Sequence, residues 1–227
     1  MNFDWKAFMV EQGATFDGDK LTGFTNQPES LKSNVVSILN SRGLIRISGQ
    51  DRQKFLQGQI STNMLQLTAM QHRTGIACNP KGRMYTSFQI IDDGKSYLLS
   101  MNRNIVESTI ETLKKYAVFF QVELSAEPEY VSLGFSGDDI ESILNTSFSL
   151  TSLPAETEVI GIQKDSLLFA VSGCSNRFEM LIKPEMLEQS WSSLSERLIA
   201  TGDNFWDILN IEAVIPEVSE AIIEQYI

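Results

Sequence analysis

Two stretches of this chain, offset by 88 residues, carry one pattern. Ile45-Arg46-Ile47-Ser48-Gly49-Gln50-Asp51, followed by Phe55-Leu56, matches Leu133-Gly134-Phe135-Ser136-Gly137-Asp138-Asp139, followed by Ile143-Leu144. The shared element is apolar-x-apolar-Ser-Gly-x-Asp, with two apolar residues four and five positions on. Alternation marks a short strand, Leu44 to Ile47 in the first copy, and the apolar pair marks a helix that begins almost at once. Glycine relaxes the turn between them, and Ser or Asp is expected to cap the first helical amides.

The segments after the two copies are also alike. After the first, Thr74 to Cys78 reads as a strand, and Met84 to Ile91 with Lys95 to Met101 as a hairpin turning at Asp92-Asp93-Gly94. Val106, Ile110, Leu113 and Ala117 have helical spacing, and Phe119 to Leu124 reads as a closing strand. After the second, Val159 to Ile162 and Ser166 to Val171 form a hairpin around Gln163-Lys164-Asp165. Arg177 to Ile182 is a strand, and a helix after Pro184 has the stripe Leu187, Trp191, Leu194, Leu198. The first ~40 residues, punctuated by Gly13, Gly18, Gly23 and Pro28, read as an irregular arm and a short strand. The expectation is a duplicated α+β architecture with an approximate two-fold axis, divided into 1–126 (arm plus first unit) and 127–227 (second unit).

Charge is distributed unevenly. Arg42, Arg46, Arg52, Lys54, Arg73, Lys81 and Arg83 stand against one acid, Asp51, in a chain of net charge −11. A local cationic face on an acidic protein suits an anionic ligand better than a nucleic-acid coat; a chance cluster on a solvated face is the alternative. The 227 residues are 42% hydrophobic and 21% charged, which is globular rather than disordered. There is neither a membrane-length apolar run nor a signal-peptide pattern at the start, so the cytoplasm is the expected address. Cys78 and Cys174 lie outside any CxxC and are expected to be free, buried thiols. His72 is the sole histidine, so a triad or a histidine-rich metal site would have to be built around it, in a polar loop segment. Neither a GxGxxG nor a P-loop motif is present.

FLQGQ at 55–59, CNPKGRM at 78–84, LKKYAVF at 113–119 and LNIEA at 209–213, in that order and spacing, resemble the YgfZ family of folate-binding proteins. That family is linked to iron–sulfur cluster assembly or repair and to tRNA modification, and is related to the glycine cleavage T protein, an aminomethyltransferase. The resemblance spans about residues 35 to 227. It implies the aminomethyltransferase folate-binding fold, with duplicated strand-helix-strand-strand units (ferredoxin-like repeats) and tetrahydrofolate or a derivative in a cleft between them. The family's KGCYTGQE-type motif and C-terminal β-barrel are absent from this sequence, as expected of a fragment or a degenerate relative.

The same resemblance implies site residues. Glu179 falls where the aminomethyltransferases hold the pterin; the alternative is a surface acid on an alternating strand. Lys81 and Arg83 are candidates for the folate tail or for nucleic acid, against a solvated loop. Glu212 either lines the site or caps a neighbour. Ser87 falls where the enzyme has its catalytic aspartate, and a hydroxyl lacks the charge and basicity of a carboxylate. Trp206 replaces an enzyme arginine and can stack or pack, but not form a bidentate ion pair. The functional expectation is therefore a non-catalytic tetrahydrofolate-binding protein serving iron–sulfur cluster maintenance, and through it tRNA modification. The alternative is one-carbon transfer to tetrahydrofolate, as in the aminomethyltransferases. Expected partners are the folate and iron–sulfur assembly proteins; neither direct nucleic-acid binding nor a membrane is expected.

Overall fold

The computed structural model describes residues 4–18, 20–163 and 165–225. Two compact units are present. One, the N-terminal repeat, comprises Ser41–Pro128, Thr157–Val159 and Pro216–Ile227; the other, the C-terminal repeat, comprises Met1–Asn40, Glu129–Glu156 and Ile160–Ile215.

The N-terminal repeat runs β4 (Arg42–Ser48), α2 (Arg52–Gln57), β5 (His72–Cys78), β6 (Met84–Asp92), β7 (Tyr97–Asn102), α3 (Val106–Ala117) and β8 (Glu123–Ala126). Its sheet order is β5-β6-β7-β4-β8, antiparallel throughout. Ile45, Ile47, Phe88, Ile90 and Leu99 from the sheet meet Phe55, Leu56, Ile110 and Leu113 from the helices in one core. Each such side chain contributes about 1.5–3 kcal/mol when fully buried.

The C-terminal repeat runs β9 (Val131–Ser136), α4 (Ile140–Phe148), β10 (Val159–Ile162), β11 (Ser166–Ala170), β12 (Arg177–Ile182), α5 (Pro184–Ser195), β13 (Ile199–Thr201) and α6 (Asp203–Glu212). With β3 (Val35–Ile38) from the N-terminal arm, its sheet order is β10-β11-β12-β9-β3-β13. Element for element this is the other sheet with one strand, β3, inserted. Both repeats are therefore β-α-β-β-β-α-β, a strand-helix-strand-strand core extended by one strand and a second helix and closing strand. The expected stripe Leu187, Trp191, Leu194 and Leu198 is buried.

The turns of the repeat motif are alike in detail. Gly49 has φ +105°, and a Cβ there would stand 2.2 Å from the Gln121 carbonyl oxygen; Gly137 has φ +145°, and its Cβ would stand 2.2 Å from Asn34 Oδ1. The motif aspartates do not cap their helices, contrary to expectation. Asp51 Oδ2 instead accepts from the Gln121 amide (2.8 Å), and Asp139 exchanges hydrogen bonds with the Asn34 side chain (2.9 and 3.2 Å). Gln121 precedes β8 and Asn34 precedes β3, so each turn is tied to the strand that flanks β4 or β9.

The ends depart from the expected division into 1–126 and 127–227. Residues 1–40 belong with the C-terminal repeat because Val35-Val36-Ser37-Ile38, buried at every position, pairs with β9. The arm is also regular: α1 (Trp5–Glu11) is capped by the Asp4 side chain, and β1 (Ala14–Asp17) pairs with β2 (Lys20–Phe24). Residues 216–225 return to the N-terminal repeat, where Val218 is buried in its core. The closing strand starts at Glu123, later than expected, because the chain must first turn out of α3; Phe119 is left 89% exposed. Cys78 is exposed and Cys174 half-buried, not buried as expected. Among the described residues no helix is long and apolar enough to cross a membrane.

Candidate functional site

In the C-terminal repeat, β12 alternates between two environments. Phe178 and Met180 enter the core beneath α4 and α5. Arg177 and Glu179 point to the other face, which α6 covers with Trp206 and Leu209. Glu179 lies directly opposite Gly134 of β9 in the antiparallel register. Gly134 has to be glycine, since a Cβ would stand 2.7 Å from the Trp206 ring. The indole therefore rests on bare backbone, on the sheet face that carries Glu179.

Arg177 fixes this arrangement. Its guanidinium lies 4.3 Å from the Trp206 ring centroid and donates to the Leu209 carbonyl (3.0 Å) and to Asn210 Oδ1 (2.7 Å). With Trp206 only 2% exposed, the ring is packed within the protein. Its buried indole Nε1–H has no partner among the described residues. A buried orphan donor costs about 1–3 kcal/mol, which an acceptor on a ligand would recover. A pterin presents a carbonyl that would accept from this N–H and an amino edge that would donate to the half-buried Glu179, so the donor–acceptor pair fits the group. Glu212, at the last position of α6, is exposed rather than on the covered face.

The other candidates lie in the N-terminal repeat. Ser87 is on β6, and its Oγ accepts from the Val218 amide (2.8 Å). Arg83 donates to the Glu224 carbonyl (2.8 Å), and the Glu224 amide donates to the Met84 carbonyl. Both side chains thus anchor residues 216–225 along the start of β6. Lys81 is exposed on the turn that Asn79 Oδ1 holds by accepting from the Lys81 and Arg83 amides.

The cationic face expected from Arg42 to Arg83 is neutralised in part, at two of its seven cations. Arg42 pairs with Glu217 (2.9 Å), and Arg46 with Glu127 (2.6 Å) and Asp93 (3.0 Å). Arg52 lies over Tyr97, and Lys54 lies 6.0 Å from the Phe120 ring centroid. A window along the sequence could not count these acids, which strand pairing and the returning C-terminal segment deliver. Burial pushes the Asp92 carboxyl up. At Asp93 burial pushes the same way but is outweighed by the Ser96 and Lys95 amides, the Ser96 hydroxyl and Arg46, leaving it below its ordinary value. Among the described residues no three His, Cys, Asp or Glu side chains group as a metal site. Sequence reasoning missed Arg177, although its place two residues before Glu179 on one strand put both on one face.

Comparison with solved structures gives the class. The glycine cleavage system aminomethyltransferase T from Bartonella henselae superposes with a TM-score of 0.75 at 18% identity, over 92% of this chain and 62% of that one. A chain of heterotetrameric sarcosine oxidase from Corynebacterium sp. U-96 superposes at 0.53 and 12% identity, over 84% and 90%. The fold is thus the aminomethyltransferase α+β fold, here without a barrel among the described residues. In sequence, the tRNA-modifying protein YgfZ of Hamiltonella defensa subsp. Acyrthosiphon pisum is 32% identical over 184 residues, 80% of this chain and 54% of that protein. That of Yersinia enterocolitica is 30% identical over 210 residues, 91% and 63%. The chain is similar to these YgfZ proteins over less than two thirds of their length. No family model matches the chain.

Proposed function

We propose that this chain binds tetrahydrofolate or a derivative, and that through this it serves iron–sulfur cluster assembly or repair and, downstream, tRNA modification, in the cytoplasm and with iron–sulfur assembly proteins as partners. The observation that carries the folate part is Glu179, half-buried opposite Gly134 on the sheet face where the Trp206 N–H has no partner among the described residues. Its carboxylate would accept from the pterin amino edge, and the indole would donate to the pterin carbonyl. Tetrahydrofolate, when bound, supplies a carrier for one-carbon units. The tRNA part is supported by the sequence kinship with proteins named as tRNA-modifying.

The role is one of binding rather than aminomethyl transfer. Position 87 holds a hydroxyl already engaged by the Val218 amide, and such a group cannot take up a proton as a carboxylate does. Titration with tetrahydrofolate and its 5-formyl form, followed by tryptophan fluorescence, tests the reading. Saturable binding that weakens about tenfold, or 1.4 kcal/mol, in Glu179→Ala is expected. The absence of saturation at millimolar ligand would overturn it.

A further inference from the structure

Three of the segments that carry the family resemblance meet in the N-terminal repeat, the unit that does not contain Glu179. A cavity of about 510 Å³ in the N-terminal repeat is lined by Gly58 and Gln59 of FLQGQ, Cys78, Asn79 and Pro80 of CNPKGRM, and Lys115 and Tyr116 of LKKYAVF. Tyr85, Ser108, Thr112, Ile223 and Glu224 complete it. This volume is in the range of small-molecule sites. The walls combine aromatic and apolar surface (Tyr85, Tyr116, Pro80, Ile223) with groups that can donate or accept (Gln59, Ser108, Thr112, Glu224).

The chemistry of the lining is selective. Asn79 Oδ1 is held by the Lys81 and Arg83 amides, so its NH₂ is the group left for a ligand acceptor. Burial, then the nearby Tyr116 and Cys78, pushes the Tyr85 hydroxyl up to about 12, so at neutral pH it is an uncharged donor and acceptor. Among the described residues of the lining Lys115 is the one cation, with Lys114 exposed beside it. Tyrosine faces stack on planar rings, amide and hydroxyl groups read a ring's polar edge, and a lysine at the rim takes an anion.

We propose that this cavity binds a heteroaromatic ring bearing a phosphate, the chemistry of a nucleotide. The source is either a free mononucleotide or the end of a single RNA strand. Phe119, 89% exposed three residues after Tyr116, would stack on a second base and so engage only the strand.

Cys78 supplies a reporter that does not depend on the folate reading. In a Cys174→Ser background the rate of Cys78 modification by a thiol reagent is measured against adenosine and cytidine monophosphates and a short 5′-phosphorylated single-stranded RNA. Saturable protection is expected, with half-protection moved at least fivefold higher by Tyr116→Ala and by Lys115→Ala, both exposed positions, checked for folding by their melting curves. Equal protection by both ligands, unaffected by Phe119→Ala, identifies the free nucleotide. Tighter protection by RNA that Phe119→Ala abolishes identifies the strand. Absence of protection by all probes at millimolar concentration, or protection insensitive to both cavity variants, overturns the proposal.

Discussion

Replacing Gly137 with alanine should destabilise the C-terminal repeat by about 2–4 kcal/mol, and the structure shows where that cost arises. The residue sits at φ +145°, where an L side chain is strained by about 1–3 kcal/mol. Its new Cβ would also stand 2.2 Å from Asn34 Oδ1 and 2.6 Å from Asn34 Cα. The Cα cannot swing aside, so Asn34 must shift and give up its two hydrogen bonds to Asp139, worth about 0.5–1 kcal/mol each at an exposed site. Gly173 is the control, with φ +74° and nothing within 4 Å of its Cβ; alanine there should cost only the conformational part, about 1–2 kcal/mol. All three tryptophans, Trp5, Trp191 and Trp206, lie in the C-terminal repeat, so urea unfolding followed by tryptophan emission reports on the right unit. A Gly137→Ala protein no less stable than Gly173→Ala would refute the argument that close approach to the neighbouring strand, rather than turn conformation alone, selects this glycine.

The same geometry leads to other expected outcomes. Gly49→Ala should have a comparable cost in the N-terminal repeat, read by circular dichroism because that unit holds no tryptophan. Arg177→Met leaves the Leu209 and Asn210 acceptors buried and uncovers one side of the Trp206 ring; a loss of about 2–4 kcal/mol and a shift in tryptophan emission are expected, and unchanged emission would contradict the packing described. Asp93 has a folded-state pKa below its unfolded one, so its contribution is complete above the ordinary aspartate value near 4 and disappears as pH falls through the folded value. Asp93→Asn should flatten that acid-side loss relative to the parent chain, and parallel curves would count against it. Ultraviolet titration should detect a phenol ionising at about 12 that disappears in Tyr85→Phe; tyrosinate formation complete by pH 11 would exclude the half-buried placement.

The repeat was legible because its turn demands particular residues. Ser-Gly-x-Asp has to leave a strand, and the glycine has to accept a positive φ, so both copies retained a readable signature. The stripe on α5 was legible because helical periodicity is local. What escaped was decided by partners distant in sequence. Val35 to Ile38 reads as a short strand, yet nothing local places it between β9 and β13. Nothing local to the basic run from Arg42 to Arg83 shows that Asp93, Glu127 and Glu217 face two of its members, Arg46 and Arg42. His72, expected in a polar loop, begins β5 and is fully buried, with Gln89 as a side-chain neighbour. Glu179 could be nominated from the family resemblance, whereas the Gly134–Trp206 contact that shapes its surroundings depends on how α6 crosses the sheet.

Hydrogen exchange with and without saturating 5-formyl-tetrahydrofolate addresses the folate reading most directly, because it reports where a ligand sits as well as whether it binds. Slowed exchange in β12 around Glu179 and in α6 around Trp206, lost in Glu179→Ala, is the predicted result. Ligand binding that leaves both elements unchanged would contradict the account.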